Sequence, residues 1–147
     1  MARDSVVIDQ IDRDILGVLA NDARIGWSEL GARVGLSPNA AADRVRKLVR
    51  GGVIRRFTAD IDQAAFGRTL QAVIDVRVGP GNRFHDVLTE CDEVTWLAHV
   101  TGRTDYQVHV SCAGTAGLQT LLTRFRDHYG AAETLTTVVL ESFRPAG

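Results

Sequence analysis

The sequence predicts an α+β protein in two parts. Three helices and a β-prone segment occupy residues 1–62, and a βαββαβ unit with an antiparallel sheet occupies residues 63–147. Three observations predict this. Apolar residues recur at helical spacing in three short blocks before Arg50, and the third block opens at Ser37-Pro38 and stops at Gly51-Gly52. From Thr69 onward, period-two segments alternate with helical ones. Charge is also divided. From Arg33 to Arg56 seven cations stand against one acid, Asp43, in a chain whose formal total is −1.

The first helix is set by Ile8, Ile11, Ile15, Leu16 and Leu19, and spans about Gln10 to Ala20. Asp9 or Asp12 lies near its start, where an acid suits the positive end of the helix dipole. Asn21-Asp22-Ala23-Arg24 breaks it. A second helix follows with Ser28 as the expected cap, carrying Leu30 and Val34. Ser37 then offers a side-chain oxygen just before Pro38, an N-cap followed by proline at the first helical position. In this third helix Ala41, Val45 and Leu48 make one buried face. Asn39, Ala40, Asp43, Arg44, Lys47 and Arg50 lie off it. Two helices joined by a tight turn, the second cationic, form a helix-turn-helix whose second helix fits the major groove of double-stranded DNA. Val53–Ile61 is β-prone and reads as the strand of a wing, with Arg55 and Arg56 near phosphates, contacts that position a protein without reading sequence.

Asp62–Arg68 is a connector. Thr69–Val78 alternates with Leu70, Ala72, Ile74, Val76 and Val78 on one face. Asn82 is placed to cap a helix running to about Cys91 with Phe84, Val87 and Leu88 inward. Val94–Val100 and Tyr106–Val110 form a hairpin around Thr101-Gly102-Arg103-Thr104-Asp105. Gly114–His128 is helical with Leu118, Leu121, Leu122 and Phe125 inward, and Glu133–Leu140 is a last β-branched strand. This order is that of a ferredoxin-like unit. Nothing in the pattern covers the second face of its sheet, and an uncovered apolar sheet face asks for a partner, most simply a second copy of the chain.

Composition narrows the function classes. Residues 1–60 carry ten basic and eight acidic side chains, and residues 61–147 carry seven and ten, so charge suited to DNA is local to the first part. No apolar run approaches the ~20 residues of a bilayer span. The polar, acidic start lacks the basic and then apolar pattern of a signal peptide, so the cytoplasm is the expected compartment and no membrane partner is expected. Cys91 and Cys112 lack a short CxxC spacing and read as reduced thiols. His85, His99, His109 and His128 are scattered, although His99 and His109 flank the hairpin turn and are placed to face each other. They lack the tight ligand spacing of a zinc site, so no metal or other cofactor is expected. No nucleophile-and-base pair, glycine-rich phosphate loop or paired-carboxylate motif points to an enzyme.

The two parts together resemble the Lrp/AsnC (feast/famine) family of prokaryotic transcription regulators. The resemblance is carried by Asp9, Asp12, Ile15-Leu16, Ala23-Arg24, Glu29-Leu30, Val34-Gly35-Leu36-Ser37, Arg44-Val45, Leu48 and Gly52-Val53-Ile54 in the first part. In the second it is carried by Val94, Val100-Thr101-Gly102, Asp105-Tyr106 and the closing strand. It implies a winged helix-turn-helix, dimers that assemble further, often to octamers, and an effector that is an amino acid or related small metabolite. It also implies an effector site between subunits around the turn Thr101–Asp105. Gly102 exposes backbone N–H groups suited to a carboxylate, and Asp105 suits an α-ammonium, although both are ordinary turn residues. His99 and Thr101 are placed to line a pocket, with Thr134 and Thr136 contributed by a neighbouring subunit.

The third helix departs from the family at Asn39-Ala40-Ala41-Ala42, where relatives often carry polar residues. Asn suits adenine and Ala a thymine methyl. Base readout then rests on Asn39, Asp43 and Arg44, with DNA deformability supplying the rest, and modest specificity with strong salt dependence is expected. Two other functions remain open: an architectural DNA-binding protein whose C-terminal part only oligomerises, and a metabolite sensor acting through a protein partner.

Overall fold

Reciprocal capping starts the first helix. In the computed structural model, which describes residues 7–143, the Asp9 carboxylate accepts from the backbone N–H of Asp12 at 2.8 Å, and the Asp12 carboxylate accepts from that of Asp9 at 3.2 Å. Helix α1 (Gln10–Asn21) follows, then α2 (Trp27–Val34) and α3 (Pro38–Arg50). The cap of α2 is Gly26, not Ser28. The carbonyl of Gly26 takes the first intrahelical bond, from Leu30, and Ser28 falls inside the first turn. Gly35 closes α2 at φ 70°, a left-handed conformation that suits glycine. Ser37 caps α3 as expected, its hydroxyl accepting from the N–H of Ala40 at 3.2 Å. Ile15, Ile25, Leu30, Ala41, Val45 and Leu48 form the core between the three helices.

The expected strand over Val53–Ile61 does not form. The backbone N–H groups of Val53 and Ile54 are both spent on the carbonyl of Leu48, finishing α3, and the two side chains pack under the helical core. The rest of the segment forms no ladder among the described residues; the Ala59 carbonyl accepts from the Thr58 hydroxyl and the Ile61 carbonyl from the Gln63 amide instead.

The chain divides into two compact units between Asp60 and Ile61. The second unit opens with a 3-10 turn, Gln63–Phe66, capped by the Asp62 side chain. Strands β1 (Leu70–Val78), β2 (Val94–His99), β3 (Tyr106–Cys112) and β4 (Ala131–Val138) form one antiparallel sheet in the order β2-β3-β1-β4, and α5 (Gly114–Tyr129) lies between β3 and β4 in sequence. Ala72, Ile74 and Val76 of β1 and Val108, Val110 and Cys112 of β3 face Leu118, Leu121 and Phe125 of α5 in a single core.

The expected helix from Asn82 to Cys91 shortens to a 3-10 turn, Phe84–Asp86, and one helical turn, α4 (Val87–Glu90). In 3-10 geometry residues three apart align, so Phe84 and Val87 share the buried side and Leu88 turns outward, 54% exposed. The histidines also differ from expectation. His109 stands opposite Trp96, with ring centroids 4.8 Å apart, and His99 stands opposite Tyr106. Nor is the second sheet face uniformly apolar. By the register it carries Val73, Trp96 and Leu135 among Gln71, Asp75, Arg77, Gln107 and Thr137.

Candidate functional site

Helix α3 presents Asn39, Asp43, Lys47 and Arg50 at near-helical repeat on its exposed side, while Ala41, Ala42, Val45 and Leu48 are buried. The side chains on that exposed side are not equally available. Asp43 is paired with Arg46 at 2.6 Å, both exposed, so part of the local positive charge is internally balanced. Asn39, Lys47, Arg50, Arg55 and Arg56 make no ion pair or side-chain hydrogen bond among the described residues, and all five are exposed. Ser37 is committed to the cap, and Ala40, half-buried, lies on the first turn.

Arg44 is placed differently from the other cations. Its guanidinium turns back to α1, with Nη1 2.6 Å from Asp9 and 2.9 Å from Asp12. The Asp12 N–H and then the Arg44 guanidinium hold the Asp9 carboxyl below its ordinary range, and the two carboxylates in turn hold the Arg44 proton more tightly.

Sequence spacing also passes over Gly31. It lies inside α2, where glycine weakens a helix by about 1 kcal/mol relative to alanine, and it is buried. A Cβ there would stand 2.6 Å from the Leu36 carbonyl oxygen. The signal that would have found it is a glycine interrupting an otherwise strong helical pattern just before a tight turn.

In the second unit the turn after β2 is tied to β1. The Asp105 N–H donates to the Val76 carbonyl and the Val78 N–H donates to the Asp105 carboxylate at 2.8 Å. Arg77 donates to the Arg103 carbonyl, also at 2.8 Å. Gly102 sits at φ 129°, and space beyond its Cα is open. Thr101, Gly102 and Arg103 are exposed, and Thr104 and Asp105 half-buried. The second carboxylate oxygen of Asp105 makes no hydrogen bond among the described residues. The strand register puts His99, Tyr106, Val76 and Thr134 in one row across the sheet, with Thr136 two rows further along, opposite Ile74. His99 is therefore beside the turn, whereas Thr134 is three strands away, roughly 14 Å at the usual spacing. One chain brings together His99 and residues 101–105, and leaves Thr134 and Thr136 on the opposite edge.

Cys91 and Cys112 are buried, and burial pushes both thiols up, away from the reactive thiolate. Among the described residues no helix is long and apolar enough to cross a membrane, and no group of three or more His, Cys, Asp or Glu is arranged to hold a metal.

Comparison with known proteins matches both units. Residues 8–49 match an AsnC-type helix-turn-helix domain and residues 71–147 match an Lrp/AsnC ligand binding domain. The chain is 33% identical over 145 residues to the HTH-type transcriptional regulator AldR of Mycobacterium tuberculosis, covering 95% of this chain and 81% of the relative. The feast or famine regulatory protein Rv3291c of M. tuberculosis, solved in complex with L-methionine, superposes with a TM-score of 0.84 at 33% identity, covering 94% of this chain and 95% of that one. The transcriptional regulator NMB0573 of Neisseria meningitidis, also solved with L-methionine, gives a TM-score of 0.84 at 25% identity, covering 94% and 93%.

Proposed function

Because this chain belongs to the Lrp/AsnC family of helix-turn-helix transcriptional regulators, we propose that α3 enters the major groove of double-stranded DNA with the exposed side that carries Asn39, Lys47 and Arg50. The observation that carries this is the set of exposed cations without an ion pair among the described residues, Lys47, Arg50, Arg55 and Arg56, clustered after Ser37 in a chain of net charge −1. Lys47, Arg50, Arg55 and Arg56 neutralise phosphates, and Asn39 and Ala40, on the first turn of α3, meet base edges. The function is regulatory and noncatalytic, and the compartment is the cytoplasm.

The C-terminal unit binds an amino acid or related small metabolite between subunits, around His99 and residues 101–105, with Thr134 and Thr136 supplied by a neighbour. The L-methionine complexes of the two solved relatives support this ligand class. The Asp105 oxygen that accepts no hydrogen bond among the described residues suits an ammonium, and the N–H groups around Gly102 suit a carboxylate. Subunits pair as dimers through the open sheet face, where Trp96 and Leu135 are exposed, and dimers assemble further, to octamers. The ligand shifts the population of assemblies through its differential affinity for them, and with it the spacing of the DNA-binding heads.

The test is a thermal-shift panel of the natural amino acids, because a ligand that binds only the folded form raises stability. A rise with one or a few supports the sensor. Asp105 supports a second reading. Its bond to Val78 already gives the carboxylate a structural duty, as in an architectural DNA-binding protein whose C-terminal unit only oligomerises. DNA binding with no thermal response to any amino acid would favour that reading.

A further inference from the structure

Arg44 lies midway along α3, off the apolar stripe, where spacing alone would send it to DNA. Its guanidinium is instead bound to both carboxylates of the α1 capping box. All four carboxylate oxygens are used. In Asp9, Oδ1 takes the N–H of Asp12 and Oδ2 takes Arg44. In Asp12, Oδ1 takes Arg44 and Oδ2 takes the N–H of Asp9. Asp12 is only 3% exposed, and no buried side-chain polar atom among the described residues is left without a partner. A buried carboxylate loses more when its cation is withdrawn than an exposed one does. The contrast with the neighbouring Arg46–Asp43 pair is direct, since that pair is exposed on both sides and links residues of one helix. Arg44 links residues 32 and 35 positions away, on a different helix.

We propose that Arg44 is a positioning residue. It fixes the recognition helix against the start of α1 through Asp12 and Asp9, and it reads neither base nor phosphate. The inference rests on the DNA-binding reading above. It assigns sequence discrimination partly to a carboxylate, Asp12, that never meets the nucleic acid. Tilting α3 by a small angle displaces the side chains on its exposed side relative to the base edges, and bidentate contacts tolerate little displacement.

The experiment uses the full chain and the duplex that the wild-type protein selects from a randomised library, with a scrambled duplex of equal length as the non-specific probe. Arg44→Gln, Asp12→Asn and Lys47→Ala are titrated over a salt series. A phosphate contact reveals itself by lowering the slope of log affinity against log salt by about one, the result expected for Lys47→Ala. Arg44→Gln and Asp12→Asn are expected to leave the slope unchanged and to cut preference for the selected duplex by about tenfold. The sign of Asp12→Asn separates the two roles, because removing a negative charge tightens DNA binding if charge alone matters. The double variant should be no worse than the worse single one, since both break one network. Arg44→Lys, whose ammonium can still donate to both carboxylates, should restore most of the preference.

A slope reduced by about one in Arg44→Gln, with Asp12→Asn unchanged or tighter, overturns the proposal and makes Arg44 a phosphate contact. Should Asp12→Asn fail to fold, Asp9→Asn takes its place with the same expectations. Asn caps a helix as well as Asp does, so that variant weakens the ion pair and keeps the cap. If the wild-type protein selects no duplex, the DNA-binding reading itself fails and this inference falls with it. Selection by the wild-type protein together with a fallen slope in Arg44→Gln overturns this inference alone.

Discussion

Gly31 and Leu36 meet backbone to backbone at the turn between α2 and α3. The Leu36 N–H donates to the Gly31 carbonyl at 2.8 Å, and the Leu36 carbonyl oxygen lies 2.6 Å from where a Cβ on Gly31 would stand. The obstacle is main chain, which cannot rotate away as a side chain can. Gly31→Ala should therefore destabilise the first unit by about 1–3 kcal/mol through overpacking, partly offset by the helix preference of alanine. Gly17 provides the control. It is an exposed residue of α1 with nothing within 4 Å of its would-be Cβ. Gly17→Ala should stabilise the same unit by up to about 1 kcal/mol. Thermal unfolding followed by circular dichroism gives both signs, and equal shifts in one direction would contradict the packing account.

Asp105 serves the hairpin before it serves any ligand. Its bond from the Val78 N–H and its own N–H to Val76 latch the turn onto the central strand. Asp105→Ala should cost about 1–2 kcal/mol, the value of a lost charge-assisted hydrogen bond at a half-buried site. Asp105→Asn keeps an oxygen for Val78 and should cost much less. It nevertheless lacks the charge that an α-ammonium requires. The expected result is a protein that folds and binds DNA but shows no amino-acid thermal shift. Retention of the full shift in Asp105→Asn would move the ammonium contact elsewhere.

Gly102 makes a separate demand on the same turn. At φ 129° any other residue is strained, even though the space around it is empty. Gly102→Ala should therefore perturb the turn through backbone conformation and not through crowding. Loss of the ligand response with DNA binding retained is the expected outcome. If the response persists with both Ala and a bulky residue at 102, the effector site lies away from this turn.

The fold was legible where an element is long enough to hold one face. Ala41, Val45 and Leu48 keep a buried stripe over about two turns of α3, and Ala72, Ile74 and Val76 alternate cleanly along β1. Leu88 escaped because its helix is one turn long and begins as a 3-10 turn, where helical spacing no longer sets direction. Val53–Ile61 carries strand-forming residues, but propensity does not supply a neighbouring strand. The candidate site was legible in its charge and only partly in its wiring. Spacing places Arg44 and Lys47 alike off the apolar stripe, and cannot tell a side chain that reaches solvent from one that crosses to α1. Gly31 went unseen because what requires it is the approach of a carbonyl five residues on.

Tyr129 gives the second unit a defined alkaline limit. Its phenol is buried at the end of α5, donates to the Glu90 carboxylate at 2.9 Å and receives the Cys91 thiol at 3.6 Å. Burial first, then these two hydrogen bonds, push its pKa from 10.0 up to about 12. The folded state thus holds the proton more tightly than the unfolded state does. The stabilisation is fully present below pH 10, declines as the unfolded chain ionises first, and is gone once pH passes about 12. Denaturant unfolding of the second unit should accordingly show stability falling with pH across that window. Tyr129→Phe should be less stable at neutral pH, because Glu90 and Cys91 lose their partner, yet its stability should fall less across the window. Ultraviolet absorbance of the phenolate supplies the site-specific check, because the component rising near pH 12 should vanish in Tyr129→Phe. A variant whose alkaline stability falls as steeply as that of the parent would show that another group sets the limit.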